Sequence, residues 1–484
     1  MMEGLEKQLQ KNRLFLSRDR LFSKPTVLMG LHVLFLAAIL LADGLDYPAK
    51  ISLFAFLSAM VLWIATKIPA GFVAVSLIAF VILMNAAEPE LLYESLSEEV
   101  VWLMIGSFII GQAVKESGLA ERLTLFLLRK SKEKGQALAG VSAVLFATVF
   151  FIPSTSGRAA LAMPIISQLS QKYTEKEQRV LVLLAPVVIL MSTSATLIGA
   201  GSHLIGIGLL ESTAQQSISF IQWFVWGLPF AAVATLLSFL VANWLFWPKH
   251  GEKRLEIEQA AGPSLVKKQL KPIEKKTLIL LCALIVLWMT ESLHGYDIAF
   301  VAMIGAILVM APNCGVITWK QGMKSVSWNL IVFVAAAAAL GKILVDTGVV
   351  EWLEGGMANF LQSFTDAPEW QIVFVILFVS VTSHLYITSH TTRAIVFIPA
   401  FLLFSEAIGA NPSAVVFLSL IGMNYCVTFP VSSKALLLFY EDEDEGVSYD
   451  AGSLVKLSAV LMPLYIALMM LFYFTYWQWT GLQL

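Results

Sequence analysis

Charged residues are scarce in this chain of 484 residues. Asp, Glu, Lys and Arg make up 14% of it, whereas hydrophobic residues make up 58%. A soluble protein carries about 25% charged residues, so the composition excludes a soluble enzyme and a disordered chain. The net charge of −2 says nothing about partners, because in such a chain the placement of charges matters more than their sum.

Cysteine is also scarce. The chain has three, Cys282, Cys314 and Cys426, which lie far apart and form no Cys-x-x-Cys pair. The sequence therefore indicates neither a disulfide scaffold nor a cysteine-based metal site. What the chain has instead are many apolar runs, several of which reach or approach the roughly 20 residues that cross a bilayer as a helix. We predict an all-α, polytopic membrane protein.

The apolar runs predict about eleven transmembrane helices and two re-entrant hairpins. The hairpins are expected at 136–170 and 371–408, because each of these apolar stretches is broken near its middle by polar residues. The run at 26–43 follows a long basic lead without a small-x-small cleavage site, so we interpret it as a retained span and not a signal peptide.

A single long hydrophilic stretch divides the chain. We predict four segments: a cytoplasmic N-terminus with the first span (1–48), a first repeat (49–247), a cytoplasmic linker (248–276) and a second repeat (277–484). With the N-terminus in the cytoplasm, 26 of the 32 Lys and Arg fall in cytoplasmic segments and one, Lys50, falls outside. The positive-inside rule therefore predicts a cytoplasmic N-terminus and an external C-terminus in the cell membrane.

The two halves resemble each other. Residues 154–159 read Ser-Thr-Ser-Gly-Arg-Ala, and residues 389–394, at an offset of 235, read Ser-His-Thr-Thr-Arg-Ala. Pro164 and Pro399 follow at the same offset. Each half is predicted to hold five crossings and one hairpin, and an odd number of crossings inserts the second half upside down. Inverted repeats with broken helices are typical of secondary transporters.

Polar residues interrupt the apolar runs at the hairpin tips and at two further breaks, 192–203 and 428–434. Arg158, Arg393 and Lys434 add positive charge beside them. An uncompensated charge at membrane depth costs about 2.5–3.5 kcal/mol or more. An anionic substrate would supply the counter-charge, and an arginine fork fits a carboxylate or sulfate. The alternative is that the arginines satisfy backbone carbonyls around the hairpins.

His390 has two interpretations. Histidine titrates near neutral pH, so it could be a proton site. The alternative is a neutral hydrogen-bonding residue. The sequence does not decide between them.

With these motifs the chain resembles the divalent-anion:sodium symporter family, which includes dicarboxylate, citrate and sulfate carriers. The resemblance covers nearly the whole chain and implies a homodimer, one sodium site in each half and a substrate site between the halves. For the first sodium site it implies Ser154, Thr155 and the Gly199 carbonyl. For the second it implies Ser389, His390 and the Ser432 carbonyl. For the substrate it implies Ser156, Thr391 and Ser433, which lie beside the candidate substrate-binding residues Arg158, Arg393 and Lys434.

The chain departs from that family at its asparagines. The family carries Ser-Asn-Thr at each hairpin tip, whereas here Thr155 and His390 take the asparagine positions. Histidine nitrogen is a poor partner for hard sodium, which prefers oxygen. The arginine after each triplet resembles the family's exchangers. Three coupling modes therefore stay open as alternatives: coupling to sodium, coupling to protons and exchange for a second anion.

We predict a secondary active transporter of small anions, di- or tricarboxylates or sulfate, working by alternating access. No cofactor is expected other than Na⁺ as a coupling ion, and no nucleic acid partner. A cation/proton antiporter or an arsenite-type permease is the first rival; an acidic residue within the tips or breaks would favour the antiporter, and the sequence has none there. An intramembrane enzyme is a distant rival, because the chain has no His-Glu-x-x-His motif.

Overall fold

A computed structural model of the protein describes most of the chain. The described elements are all helices, which confirms the all-α class. The described residues are 24–66, 68–119, 122, 133–150, 152, 154–171, 173–248, 270–350, 352, 355, 367–440 and 448–484.

The helices before the linker are numbered α1 to α10. They are α1 (Lys24–Leu40), α2 (Tyr47–Ala65), α3 (Ala70–Leu83), α4 (Glu90–Ser95), α5 (Glu99–Ser117), α6 (Lys134–Ala147), α7 (Thr155–Ser170), α8 (Glu175–Met191), α9 (Gly201–Ala214) and α10 (Phe220–Phe246).

Ten further helices are described after the linker. They are α11 (Pro272–Met289), α12 (Glu291–His294), α13 (Ile298–Met310), α14 (Trp319–Ser325), α15 (Trp328–Asp346), α16 (Glu369–Thr382), α17 (His390–Ala407), α18 (Pro412–Asn424), α19 (Lys434–Tyr440) and α20 (Ala451–Phe472).

Five helical stretches among the described residues are long and apolar enough to cross a bilayer. They are Glu90–Ser117, Glu175–Ala195, Phe220–Phe246, Trp328–Asp346 and Ala451–Trp477. Shorter apolar helices accompany them. The multi-pass membrane class is thus confirmed, whereas the eleven crossings, the hairpins and the inverted sense of the repeat stay predictions.

Short polar caps start many of these apolar helices. Asp46, Asp297 and Asp450 precede α2, α13 and α20, and each side chain accepts a hydrogen bond from the backbone N–H three residues further on. Such a cap satisfies one of the N–H groups that a helix leaves unpaired at its start, and is worth about 1 kcal/mol. The sequence therefore marks these helix starts directly.

The described helices form two compact units. The first comprises Met1–Leu96 and Val332–Met357. Within it α1 packs on α2 and α2 packs on α3. The Trp63 ring meets the Phe333 ring edge-on, with the ring centres 5.1 Å apart.

The second unit comprises Ser97–Ile331 and Ala358–Leu484. It contains every predicted site residue. Within it α5 packs along α13, and α10 packs on α8 and α20. The aromatic rings of Trp226, Phe417 and Trp477 pack together, with ring centres 5.3–5.4 Å apart.

The packing around the two repeated motifs follows one pattern. Helix α7 packs on α8 and on α19, and its equivalent α17 packs on α18 and on α9. Likewise α8 contacts α19, and α18 contacts α9. Each helix of a predicted hairpin, α7 or α17, is thus paired with the helix that follows the break of the other half. This pairing of helices across the two halves brings both tips and both breaks into one region of the second unit.

Gly227 allows α10 to lie directly against the first break. A Cβ at this position would collide with the carbonyl oxygen of Ser194, which also accepts a hydrogen bond from Trp223 Nε1 at 3.0 Å. We expect Gly227→Ala to lower the free energy of unfolding by about 1–3 kcal/mol, because backbone cannot move aside as a flexible side chain does. The measurement is thermal unfolding of the purified protein in detergent.

Gly135 provides the matched control for that substitution. A Cβ at Gly135 meets nothing within 4 Å. Gly135→Ala should unfold at the temperature of the wild-type protein or slightly above it. Equal behaviour of the two alanine variants would contradict close packing at Gly227.

Candidate functional site

A serine caps the start of the second helix of each predicted hairpin. Ser154 Oγ accepts from the backbone N–H of Gly157 at 3.1 Å, and Ser389 Oγ accepts from that of Thr392 at 3.2 Å. The repeated Ser therefore performs the same N-capping task in both halves. A capped helix start carries partial positive charge, so both tips offer a favourable environment to anions.

The first break is built from short turns. Helix α8 ends at Met191, two turns of 3₁₀-helix follow at Ser192–Ala195 and Leu197–Gly199, and α9 begins at Gly201. Residues 192–200 are all buried. The sequence favours such a break because Ser and Thr hydroxyls bond back to the helix backbone: Ser192 Oγ and Thr193 Oγ1 both donate to a carbonyl of the last turn of α8.

Arg158 reaches from α7 into this break. Its Nη1 donates to Ser192 Oγ at 2.9 Å, and its Nη2 donates to Thr193 Oγ1 at 2.8 Å and to the Gly199 carbonyl at 3.4 Å. The side chain is fully buried. Its Nε has no hydrogen-bond partner in the described part of the chain. The guanidinium is thus held mainly by oxygen atoms of the protein.

This geometry bears on two predictions for the first half. It corresponds to the alternative in which the arginine satisfies oxygens around the hairpin, and contact of Arg158 with a substrate stays a prediction. The Gly199 carbonyl, implied as a sodium ligand, already accepts a hydrogen bond from a positive charge. A guanidinium and a sodium ion beside the same carbonyl would repel each other.

The second break differs from the first. Helix α18 ends at Asn424, a short turn lies at Pro430–Ser432, and α19 begins at Lys434. Arg393 is fully buried, and its Nη1 donates to the Tyr425 carbonyl at 3.3 Å. Its Nε and Nη2 have no oxygen or nitrogen partner among the residues that the structure describes, and the guanidinium also hydrogen-bonds the thiol of Cys426. Sequence alone gave the two arginines equivalent places, but their hydrogen bonding is unequal.

His390 lies next to a cysteine. The distance from His390 Nε2 to Cys426 Sγ is 3.0 Å, and His390 Nδ1 is buried without a partner in the described chain. A sulfur and a ring nitrogen are soft or borderline ligands, whereas sodium prefers hard oxygen. The residues around His390 therefore do not fit the second sodium site that the resemblance implies.

The remaining predicted site residues differ in how far they are exposed to solvent. Thr155, Ser156 and Thr391 are half-buried at the tips. Ser432 and Ser433 are buried, and their hydroxyls accept from the backbone N–H groups of Phe429 and Ala435. Lys434 is exposed, although it follows these buried serines directly. Its ammonium group is therefore not enclosed by the break.

The sequence reasoning missed Asn424, which joins the breaks of the two halves. His203 Nδ1 lies 3.2 Å from two carbonyl oxygens, so this nitrogen carries the ring proton and Nε2 is an acceptor. The Asn424 amide then donates to His203 Nε2 and to Ser194 Oγ, both at 2.9 Å. The sequence signal that could have identified Asn424 is a lone side-chain amide at the end of a long apolar run.

A second polar chain supports the break in the second half. His384 Nε2 lies 2.7 Å from Thr428 Oγ1, which lies 2.7 Å from Ser458 Oγ, and Tyr425 OH lies 3.0 Å from the same serine. These bonds link the short turn at Ser383–Leu385, the second break and α20. The Tyr425 carbonyl that meets Arg393 is thereby held in place.

The comparisons with known proteins agree with this architecture. A family model described as the sodium:sulfate symporter transmembrane region matches residues 23–483. The citrate/succinate antiporter of Escherichia coli K12 is 24% identical over 394 residues, covering 78% of each chain. The L-tartrate/succinate antiporter of the same organism is 26% identical over 302 residues, covering 58% of this chain and 60% of its own.

Among solved structures, the YdaH transporter of Alcanivorax borkumensis shares the fold. Its TM-score is 0.61 at 12% identity, and the match covers 89% of this chain and 99% of that one. The family and its relatives are transporters, which does not favour the rival interpretation as an enzyme. The chain belongs to the sodium:sulfate symporter transmembrane family and is an anion transporter of the membrane.

Proposed function

We propose that this protein exchanges di- or tricarboxylates across the membrane without coupling to sodium. The observation that carries the proposal is the hydrogen bond from Arg158 to the Gly199 carbonyl. In the family that carbonyl is implied in the first cation site. Here a charge fixed to the protein takes the place of a charge that would arrive with the substrate.

A fixed charge has a consequence for the transport cycle. A sodium ion leaves with the substrate, so a sodium-coupled carrier can return empty and uncharged. Arg158 and Arg393 cannot leave, and moving their uncompensated charge through the bilayer is costly. An anion bound on the return step removes that cost, and this favours exchange over net uptake.

The second half supports the same proposal. His390 and Cys426 replace oxygen ligands at the implied second cation site. Lys434 follows that break and adds a further fixed positive charge. In this proposal the hydroxyls of Ser156, Thr391 and Ser433 bind the substrate, and Ser154, Thr155, Ser389 and Ser432 shape the tips and breaks without holding sodium.

The relatives suggest which anions to test. Two of them are named as antiporters of succinate with citrate or with tartrate, so succinate and citrate are the first candidates. Sulfate is the alternative that the family description suggests. We further propose that the chain forms a homodimer with its N-terminus in the cytoplasm and its C-terminus outside, as the family resemblance and the positive-inside rule imply.

The test is uptake of labelled succinate, citrate and sulfate into proteoliposomes. We expect uptake of a carboxylate only when the vesicles contain an unlabelled carboxylate, with no stimulation by an inward sodium gradient. Empty vesicles and protein-free liposomes are the controls. Uptake that is driven by sodium into empty vesicles would overturn the exchange proposal in favour of symport.

A further inference from the structure

We propose that Asn424 is a positioning residue that holds the first break in register with the second, and that the spacing it fixes selects the transported anion by length. This role rests on the proposed function, in which hydroxyls from both halves bind the substrate, and makes it more specific. Asn424 lies outside both hairpin tips, and it acts through the backbone and side chains that it holds in place.

Both N–H groups of the Asn424 amide bond to the first half of the chain. Asn424 is the last residue of α18 and is 1% exposed. Its Nδ2 lies 2.9 Å from His203 Nε2 in α9 and 2.9 Å from Ser194 Oγ in the first break. A side-chain amide has two N–H groups, so neither is left over. The end of α18 is therefore held by the first half at two points.

The His203 ring is fixed in the orientation that accepts this bond. Its Nδ1 lies 3.2 Å from the carbonyl oxygens of Thr196 and Leu197, and the ring of Trp223 lies against it with the ring centres 4.5 Å apart. Turning the ring would break these contacts and leave a buried N–H unpaired, which is costly. His203 therefore presents Nε2 to Asn424.

Ser194 continues the hydrogen bonding back to the second half. Tyr465 of α20 hydrogen-bonds the Ser194 side chain, and the Tyr465 hydroxyl donates to the Ile421 carbonyl at 2.9 Å. Since each hydroxyl has a single proton, Tyr465 accepts from Ser194, which in turn accepts from Asn424. The first break is thus held between α18 and α20 by hydrogen bonds of fixed direction.

The chain neighbours of these contacts hold the two buried arginines. Thr193, directly before Ser194, accepts a hydrogen bond from the arginine of the first half. Tyr425, directly after Asn424, accepts one through its carbonyl from the arginine of the second half. A shift of one break along the other would therefore change the distance between the arginine partners of the two halves.

The first half carries a methionine at the position equivalent to Asn424. Helix α8 ends at Met191 as α18 ends at Asn424, and the same offset of 233 residues relates the turns Leu197–Gly199 and Pro430–Ser432. Met191 is also buried, so an apolar residue suffices to fill this place. Apolar contacts have no direction, whereas a buried amide specifies one register at a cost in stability. A fixed register is therefore what Asn424 adds to the packing.

Register matters because the proposed substrate hydroxyls come from both halves. Ser156 belongs to the first half, whereas Thr391 and Ser433 belong to the second. A dicarboxylate carries its charges at its two ends, so an added methylene changes the distance that the two halves must span. Discrimination of one methylene in a shaped site is worth about 10–200-fold. With Asn424 the site has one spacing, and without it the halves can adjust to either length.

The test is uptake of labelled succinate and of labelled glutarate, which is longer by one methylene, into proteoliposomes loaded with unlabelled succinate. We expect the KM values of the wild-type protein for the two anions to differ. Asn424→Leu should bring their ratio at least about 5-fold closer to one, because leucine has a similar size but neither donor. Ser419→Ala is the matched control and should keep the wild-type ratio, since the buried Ser419 hydroxyl bonds within α18, to the Val415 carbonyl.

A purely structural role would lower Vmax equally for both anions and leave the ratio of KM values unchanged. That result in a folded Asn424→Leu protein overturns the positioning role. Ser194→Ala removes one of the two acceptors, so it should move the ratio in the same direction by a smaller factor, and it tests the role if Asn424→Leu does not fold.

The wild-type protein separates this role from the proposed function. Exchange of both dicarboxylates with equal KM, or of citrate but neither dicarboxylate, overturns selection by length and leaves the exchange proposal intact. A wild-type protein that exchanges none of the three anions overturns the proposed function itself.

Discussion

Replacing Lys134 with methionine should lower the free energy of unfolding by about 3–5 kcal/mol, the cost of leaving one partner of a buried ion pair alone. Lys134 Nζ lies 2.9 Å from Glu177 Oε2, and the two residues are 7% and 2% exposed. Methionine has a similar length but offers no charge. The Glu177 carboxylate would remain buried at the start of α8 without its counter-charge.

Chemical denaturation in detergent micelles measures this effect. Lys176→Met is the matched control, because Lys176 is exposed and adjacent to Glu177 in sequence, and its replacement should change stability by less than about 0.5 kcal/mol. Adding Glu177→Gln to Lys134→Met should recover much of the loss, since glutamine keeps the bond from the Thr174 backbone N–H. A loss of under 1 kcal/mol for Lys134→Met would contradict the buried pair.

Replacement of the two buried arginines by methionine should change the stability of the protein differently at the two positions. Arg158→Met removes hydrogen bonds to Ser192, Thr193 and Gly199, and charge-assisted bonds are worth about 1.5–3 kcal/mol each. Removal of the buried charge offsets part of this loss. We expect a net destabilisation of about 2–3 kcal/mol, because the oxygens around the first break lose their shared donor.

Arg393→Met should instead leave stability unchanged or raise it. Among the described residues, Arg393 donates to the Tyr425 carbonyl and to the thiol of Cys426, which is a weak acceptor. Replacing a buried charge that is poorly compensated by an apolar side chain is often stabilising, by about 1–4 kcal/mol.

Thermal unfolding of both variants without substrate provides the comparison. Equal destabilisation by the two substitutions would show that the arginines are equivalent after all.

Several local features of the site could be predicted because they depend on short stretches of chain. The serines at 154 and 389 begin helices because a Ser side chain caps the N–H groups that follow it. The two breaks fall where hydroxyls and small residues interrupt apolar runs. The constant offset of 235 residues identified which positions correspond in the two halves.

Other features could not be predicted because they depend on contacts between distant segments. Cys426 is 36 positions from its neighbour His390, and Asn424 is 221 positions from His203. Neither Cys426 nor Asn424 belongs to a periodic pattern or motif that would predict its partner. A buried amide in an apolar run signals that a partner exists, but only packing decides which one.

The sequence by itself determined the all-α membrane class, the family, the helix breaks and the presence of an arginine beside each tip. The class and the breaks follow from local composition, length and spacing, whereas the family follows from the resemblance of the repeated motifs to known sequences. The tertiary structure alone decided that Arg158 is enclosed by oxygens of the first break whereas Arg393 meets one carbonyl and the thiol of Cys426. The physical reason is that a guanidinium's partners are set by the three-dimensional positions of oxygens 32–41 residues away, which similar local motifs do not specify.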